Sequence, residues 1–306
     1  MKIKELFNKS PVISLEIFPP KPESPIDTVL DTIEDLSDLK PDFISVTYGA
    51  GGSSQSHTMK IADIIKNKYS IEALAHLTCI NSTKGDIDNV LKNLKETGIE
   101  NILALRGDIP QDKEFNPSAN RDFKYAKDLV DYIKESEEFC IGGACYPECH
   151  IECSDSVSDL HHLKDKVDRG VDFLITQLFF DNNLFYNFKE KLDILGVNVP
   201  VSAGIMPVIN KKQMERITNL CGASIPLKFR RILDKYEHNP EALKEAGIAY
   251  ATEQIIDLLS AGVDGIHLYT MNRPEVARKI LGQIWNIRKH LNWKELASTK
   301  VAGGYQ

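Results

Sequence analysis

The stretch VISLEIFPPK, from Val12 to Lys21, sets one carboxylate, Glu16, inside an apolar run that closes on the stiff pair Pro19-Pro20. Desolvating a charged side chain without a partner costs several kcal/mol, so an acid in that setting is either paired or held at an unusual pKa for chemistry. With Ile17 and Phe18 beside it, Glu16 is expected to have a raised pKa and to hold a proton near neutral pH. A second acid, Asp108, ends the run ALRGD, in which a guanidinium (Arg106), a turn-forming glycine (Gly107) and the carboxylate follow one another. Cys145, Cys149 and Cys153 recur every four residues around His150, which invites a zinc reading. The first of these cysteines falls in an apolar run and the spacing is not C-x2-C, so no metal is expected.

Such groups act together only if the fold brings them to one place. Eight short β-branched or apolar runs recur along the chain: VISLEIF, DFISVTYG, EALAHLTC, NILALRGD, CIGGACYP, DFLITQLFF, VPVSAGIMP and GIHLYTMN. Amphipathic segments such as IDTVLDTIEDLSDLK and DIDNVLKNLKETG lie between them, several ending in glycine just before the next run. This alternation predicts an α/β protein, a closed (β/α)8 barrel, and the doubly wound alternative lacks its G-x-G-x-x-G turn. The long interval before the last run, IPLKFRRILDKYEHNPEALKEAGIAYATEQIIDLLSAG, reads as two helices and so places an extra helix between the seventh and eighth strands. The whole chain, residues 1–306, is expected to form one barrel domain with a short polar C-terminal tail.

Barrel enzymes build their sites where strands end and βα loops begin. Those positions carry Glu16, Thr47 and Tyr48, His76 and Thr78, Arg106 and Asp108, Tyr146 with Glu148 and His150, Gln177, and Tyr269, Asn272 and Arg273. So many polar groups converging on one mouth mark an active site. Composition narrows the class further. The chain has 306 residues, 42% hydrophobic and 26% charged, and a net charge of −7, which argues against a general nucleic-acid binder. Any anionic ligand must therefore meet a local cluster of basic groups. No apolar run reaches the roughly 18 residues of a membrane span, and MKIKELFNKS lacks the apolar core of a secretion signal, so a cytoplasmic protein with no membrane partner is expected. Its six cysteines read as reduced thiols.

From about Ser14 to Arg273, the runs SLEIFPPK, ISVTYGA, AHLTC, ALRGD, YPECH, DLHHLKDKVDRGVDFLITQLFFD, GIMPV and HLYTMNR resemble, in order, the successive motifs of the methylenetetrahydrofolate reductase family. The resemblance implies a flavin-containing barrel that passes a hydride from NADH or NADPH to FAD, and then to 5,10-methylenetetrahydrofolate. The product is 5-methyltetrahydrofolate, which serves one-carbon metabolism and methionine supply. A regulatory domain like that of eukaryotic members is not expected in a chain of this length. Reducing the methylene bridge requires the five-membered ring to open to an iminium ion, and the departing folate nitrogen must gain a proton. The resemblance places the family's catalytic acid at Glu16. It sets Asp108 beside the flavin ring and the pterin, where its charge disfavours an anionic reduced flavin and stabilises the iminium.

The resemblance further implies folate contacts at Asp108, Gln177, Gln213 and Arg273, the last for the benzoyl-glutamate end. It assigns FAD binding to Tyr48, Ala50, His76, Arg106, Gly107, Asp108, Tyr125, Ala126, Tyr146, His150, Asp159, His162 and Lys166, and links Thr47 to the nicotinamide half-reaction. Asp159, His162 and Lys166 stand three and four residues apart, so one helix face could address ribose and phosphate together; a solvated face has the same pattern. Ile151 and Cys153 depart from the family's usual proline and small residue. Expected partners are the folate substrate, further copies of the chain in a homo-oligomer, and optionally an electron-delivering subunit. A flavin-free pterin-binding barrel methyltransferase and a non-catalytic subunit of a one-carbon complex are the alternatives.

Overall fold

The computed structural model describes residues 1–8, 10–20, 24–48, 55–108, 122–135 and 138–291. Eight parallel strands run β1 (Val12–Ile17), β2 (Phe43–Val46), β3 (Glu72–Thr78), β4 (Asn101–Leu105), β5 (Cys140–Cys145), β6 (Phe173–Thr176), β7 (Val201–Ile205) and β8 (Gly265–Tyr269). Each pairs with the next and β8 closes on β1, completing the (β/α)8 barrel. Parallel neighbours need a long crossover, and these are supplied by α1 (Asp27–Ser37), α2 (Gln55–Asp63), α3 (Lys84–Glu96), α4 (Ala126–Lys134), α5 (Ser156–Asp168) and α6 (Asn182–Ile194). The interval between β7 and β8 holds α7 (Lys211–Cys221), α8 (Leu227–Tyr236) and α9 (Pro240–Ser260); α10 (Pro274–His290) follows β8. The two helices expected in that interval are α8 and α9, added to the α7 that follows β7.

Strand alternation divides the barrel into two cores. Outward residues such as Ile13, Leu15, Ile17, Ile44 and Val46 are buried under the helices in one large cluster. Inward residues Phe43, Leu74, Leu103, Cys140, Phe173 and Ile175 form a second cluster at the N-terminal end of the lumen. A 3₁₀ turn, Ile3–Asn8, inserts Ile3 and Phe7 into this cluster and closes that end. Higher in the lumen the buried inward residues turn polar: Ser14, Ser45, His76, Ser202 and His267. The chain thus plugs one end with hydrocarbon and reserves the other for chemistry.

Local signals start the helices around the mouth. Thr83 and Asp86 form a reciprocal capping box on α3, and Asp155 caps α5 by accepting from the amides of Val157 and Ser158. Asn210 and Asn239 cap α7 and α9 in the same way. Gly107, with φ of 88°, makes the turn after β4 that ALRGD suggested. The polar C-terminal tail lies outside the described residues.

Candidate active site

Glu16 is the last inward residue of β1, and the register sets it opposite Ser45 on β2 and Tyr269 on β8. Its Oε2 stands 3.4 Å from His267 Nε2, 3.5 Å from Ser45 Oγ and 3.6 Å from His76 Nε2. Behind it, Ser14 Oγ meets His267 Nδ1 at 2.7 Å and also reaches the carbonyl of Ile266 at 3.3 Å. The Thr270 hydroxyl donates to the carbonyl of Glu16 at 2.6 Å. Asn272 grips Phe18 through both its amide groups, accepting from the backbone N–H at 3.1 Å and donating to the carbonyl at 2.9 Å. The β8 loop thereby fixes the strand end that carries the acid. Asn272 and its neighbour Met271 both adopt φ of 53°, a conformation that costs most side chains energy and that asparagine tolerates best.

The elevated pKa expected for Glu16 is not what this geometry produces. Burial does push its carboxyl upward, but the hydrogen bond from His267, the electrostatic pull of the neighbouring His76 and His267 imidazoles, and the Ser45 hydroxyl outweigh it and hold the pKa below its ordinary value. The apolar neighbours that suggested otherwise face elsewhere. Ile17 points outward into the helix layer, and Phe18 is 40% exposed. His76 moves strongly: burial lowers its pKa to about 4 despite the pull of Glu16, so its ring is neutral at neutral pH. Its Nε2 is buried and hydrogen-bonded to nothing among the described residues.

Beside this lumen, between the ends of β4 and β5 and the face of α5, lies a cavity of about 430 Å³. Arg106, Tyr125, Ala126, Tyr146, His150, Asp159, His162 and Lys166 all line it. The three residues spaced along α5 therefore do share one face, and that face looks into the cavity. Tyr146 packs edge-on against His150, with ring centroids 4.6 Å apart, and burial pushes its phenol up to about 12. His150 is held by α5 and by its own loop: its backbone N–H donates to Asp159 of α5 at 3.1 Å, and its Nδ1 accepts from the N–H of Glu152 at 3.1 Å. Burial lowers the pKa of the His150 imidazole, and it lowers that of Lys166, whose ammonium donates to the carbonyl of Ala144.

Other expected residues sit around the same end of the barrel without touching that cavity. Thr47 and Tyr48 directly follow β2 and are half-buried; burial raises the Tyr48 phenol. Asp108 is exposed beyond Gly107. Gln177, just past β6, accepts from the N–H of Leu178 at 2.9 Å, and its amide nitrogen makes no hydrogen bond among the described residues. Gln213 is exposed on the first turn of α7, and Arg273 is exposed at the start of α10. Ala50 lies outside the described residues. In the β5–α5 loop, the unusual Ile151 is 55% exposed and turned toward Gly222, and Cys145 is buried with its thiol pushed up to about 12, which makes it a poor source of thiolate. Three groups that matter here were not singled out from the sequence: His267 and Ser14, which continue the hydrogen-bonded chain from Glu16, and Glu152, which pairs with Arg106.

Fold and site together define a (β/α)8 barrel with an acid–imidazole cluster at its C-terminal mouth and an adjoining cationic cavity of nucleotide-compatible chemistry. The family model for methylenetetrahydrofolate reductase matches residues 2–285, and the chain belongs to that family. It is 36% identical over 268 residues to the 5,10-methylenetetrahydrofolate reductase of Escherichia coli, covering 88% of both chains. It is also 36% identical to methylenetetrahydrofolate reductase (NADH) 1 of Arabidopsis thaliana, covering 93% of this chain and 51% of the plant protein, so it spans about half the length of that relative. Among solved structures, an uncharacterised protein from Clostridium thermocellum that binds two copies of 5-methyl-5,6,7,8-tetrahydrofolic acid has the same fold, with a TM-score of 0.67 at 16% identity over 94% of this chain and 98% of that one. No helix among the described residues is long and apolar enough to cross a membrane.

Proposed function

We propose that this protein reduces 5,10-methylenetetrahydrofolate to 5-methyltetrahydrofolate, using FAD held in the cavity and NADH or NADPH as the electron donor. The observation that carries this reading is the placement of Glu16. A carboxylate with a hydrogen-bonded imidazole behind it stands at the mouth of a barrel, next to a cavity rich in cations and aromatic rings. The residues present fit a flavin nucleotide. His76 offers the edge of a polar heterocycle a buried ring nitrogen that makes no hydrogen bond among the described residues, and Arg106, His162 and Lys166 supply donors for phosphate and sugar. When bound, FAD would supply the hydride-carrying chemistry that no amino-acid side chain provides.

The chain's own part is proton control and positioning. Glu16 delivers the proton that the departing folate nitrogen requires. Its side chain keeps 18% exposure here; loss of that exposure once the mouth is filled would add desolvation, which would move its pKa upward and favour the protonated form. The chain behind it supports either state. With Glu16 ionised, His267 Nε2–H donates to it and Nδ1 accepts from Ser14. With Glu16 protonated the order reverses, and Ser14 then donates to the carbonyl of Ile266. Asp108 sits exposed at the same rim, where its negative charge would stabilise a cationic iminium. Gln177, Gln213 and Arg273 contribute donors around the mouth for the pterin and the glutamate end.

The test separates the two half-reactions. Under anaerobic conditions in stopped flow, Glu16→Gln should leave reduction of the flavin by NADH or NADPH nearly intact and slow its reoxidation by the folate by at least ~10²-fold, the low end for general acid catalysis. Equal slowing of both steps would remove Glu16 from the proton-donor role. A purified protein without flavin absorbance would favour the methyltransferase reading instead.

A further inference from the structure

Every cation lining the cavity is already engaged. Lys127 pairs with Asp165 at 2.8 Å, and Lys166 donates to the carbonyl of Ala144. Arg106 is held most completely: its two terminal nitrogens donate to the two oxygens of Glu152 at 2.5 and 2.7 Å, and its Nε donates to the carbonyl of Gly107 at 3.1 Å. A guanidinium offers two edges that can grip an oxyanion with parallel hydrogen bonds. Here Glu152 fills the end-on edge, and the bond to Gly107 removes the Nε–H from the side-on edge. A phosphate could reach Arg106 in fork geometry only by taking the place of one of these partners. Glu152 is the one that can leave. Its side chain is 45% exposed on the loop after β5, whereas the Gly107 carbonyl is fixed in the backbone turn. Its N–H bond to His150 Nδ1 is a backbone contact, which a rotation of the side chain leaves in place.

We propose that Glu152 is a built-in stand-in for the cofactor's phosphate, pairing with Arg106 until a phosphate of the nucleotide displaces it. The inference rests on the reading of this cavity as a flavin-nucleotide site and adds a residue that opposes loading of the site. In the unliganded protein, Glu152 keeps the Arg106 guanidinium oriented and neutralised at the cavity wall. A flavin lacking phosphate gains nothing from Arg106 and does not compete with Glu152.

The experiment titrates flavin-stripped protein with FAD and, separately, with riboflavin, following the quenching of flavin fluorescence, for the parent, Glu152→Gln and Arg106→Gln. Circular dichroism checks that each variant is folded. Displacing an exposed ion pair holds back roughly 1.5- to fivefold in affinity, so Glu152→Gln should bind FAD about that much more tightly and riboflavin no better than the parent does. Arg106→Gln should weaken FAD binding and leave riboflavin unchanged. If Arg106→Gln weakens FAD binding while Glu152→Gln weakens it too or leaves it unchanged, Glu152 is a positioning partner of Arg106 and the displacement is wrong. An equal gain for riboflavin would also overturn it. Absence of saturable FAD binding by the folded parent would overturn the flavin reading, and this inference with it.

Discussion

Glu16 and His76 stand 3.6 Å apart and show how one desolvated environment acts on opposite chemistries. Burial disfavours either charge, but the carboxylate has three hydrogen-bonding or charged neighbours and the imidazole has only the carboxylate. The consequence for stability can be signed. His76 takes its proton near pH 6.5 in the unfolded chain and near 4 in the folded one, so across that window the unfolded state binds more protons. Stability should be complete above the upper value and fall by about 3 kcal/mol on acidification to the lower one. Glu16, whose folded pKa is also depressed, adds a loss in the same direction further into acid. His76→Asn should flatten the upper part of this decline, measured as urea midpoints between neutral pH and pH 5. A decline as steep as the parent's would place the titrating group elsewhere. At this scale much was legible. An acid within the first apolar run was conspicuous by type, whereas its pKa was misjudged because sequence neighbours on a strand face opposite sides.

The interval between β7 and β8 shows what an element contributes. Helix α9 crosses the loop after β7 so closely that a Cβ on Gly247 would lie 1.7 Å from the carbonyl oxygen of Val208. That contact holds α9 against the strand end, while Leu243 of α9 and Phe229 of α8 are buried in a cluster with Leu178, Phe180 and Met206. Phe229 also stacks on Tyr250 at 4.0 Å. The added helices thereby brace the loops after β6 and β7, the first of which follows Gln177. Gly247→Ala should cost about 3 kcal/mol or more, the upper range for overpacking, because backbone rather than a movable side chain blocks the methyl group. Thermal or urea unfolding measures this. A cost below roughly 0.5 kcal/mol would mean that α9 can ride outward freely.

Across the whole molecule, the two ends of the barrel divide the work. Phe7 is 9% exposed and packs 5.7 Å from the ring of Phe173, inside a plug none of whose fully buried residues lines the cavity on the opposite end, although Leu105 of β4 packs against the plug and reaches the cavity wall. Truncating a buried phenylalanine costs roughly 3 to 5 kcal/mol. Phe7→Ala should therefore lower the unfolding midpoint accordingly while leaving the affinity for FAD within about twofold, since distant independent sites usually add. A large fall in FAD affinity in the folded variant would show that the plug and the mouth are coupled.

Pattern alone was enough for the barrel, because parallel strands buried on both faces must be short, apolar and separated by amphipathic crossovers, and that alternation survives in one dimension. Strand-end placement also pointed to Glu16, Arg106, Tyr146 and His150, since a barrel exposes functional groups at one known end. Two residues apart on one strand, Ser14 and Glu16 could have been recognised as sharing an inward face, as could His267 and Tyr269. Their meeting could not. Ser14 reaches His267 across 253 positions of sequence, a contact made only when β8 closes on β1. The partner of Arg106 was decided in the same way. Asp108, two residues along, was the nearer candidate in sequence, but the turn at Gly107 carries it outward, and the loop after β5 brings Glu152 to the guanidinium. Residue type and period fix which face a side chain takes; which charges then meet, and so where protons and phosphates can go, is set by closure of the barrel and the path of its loops.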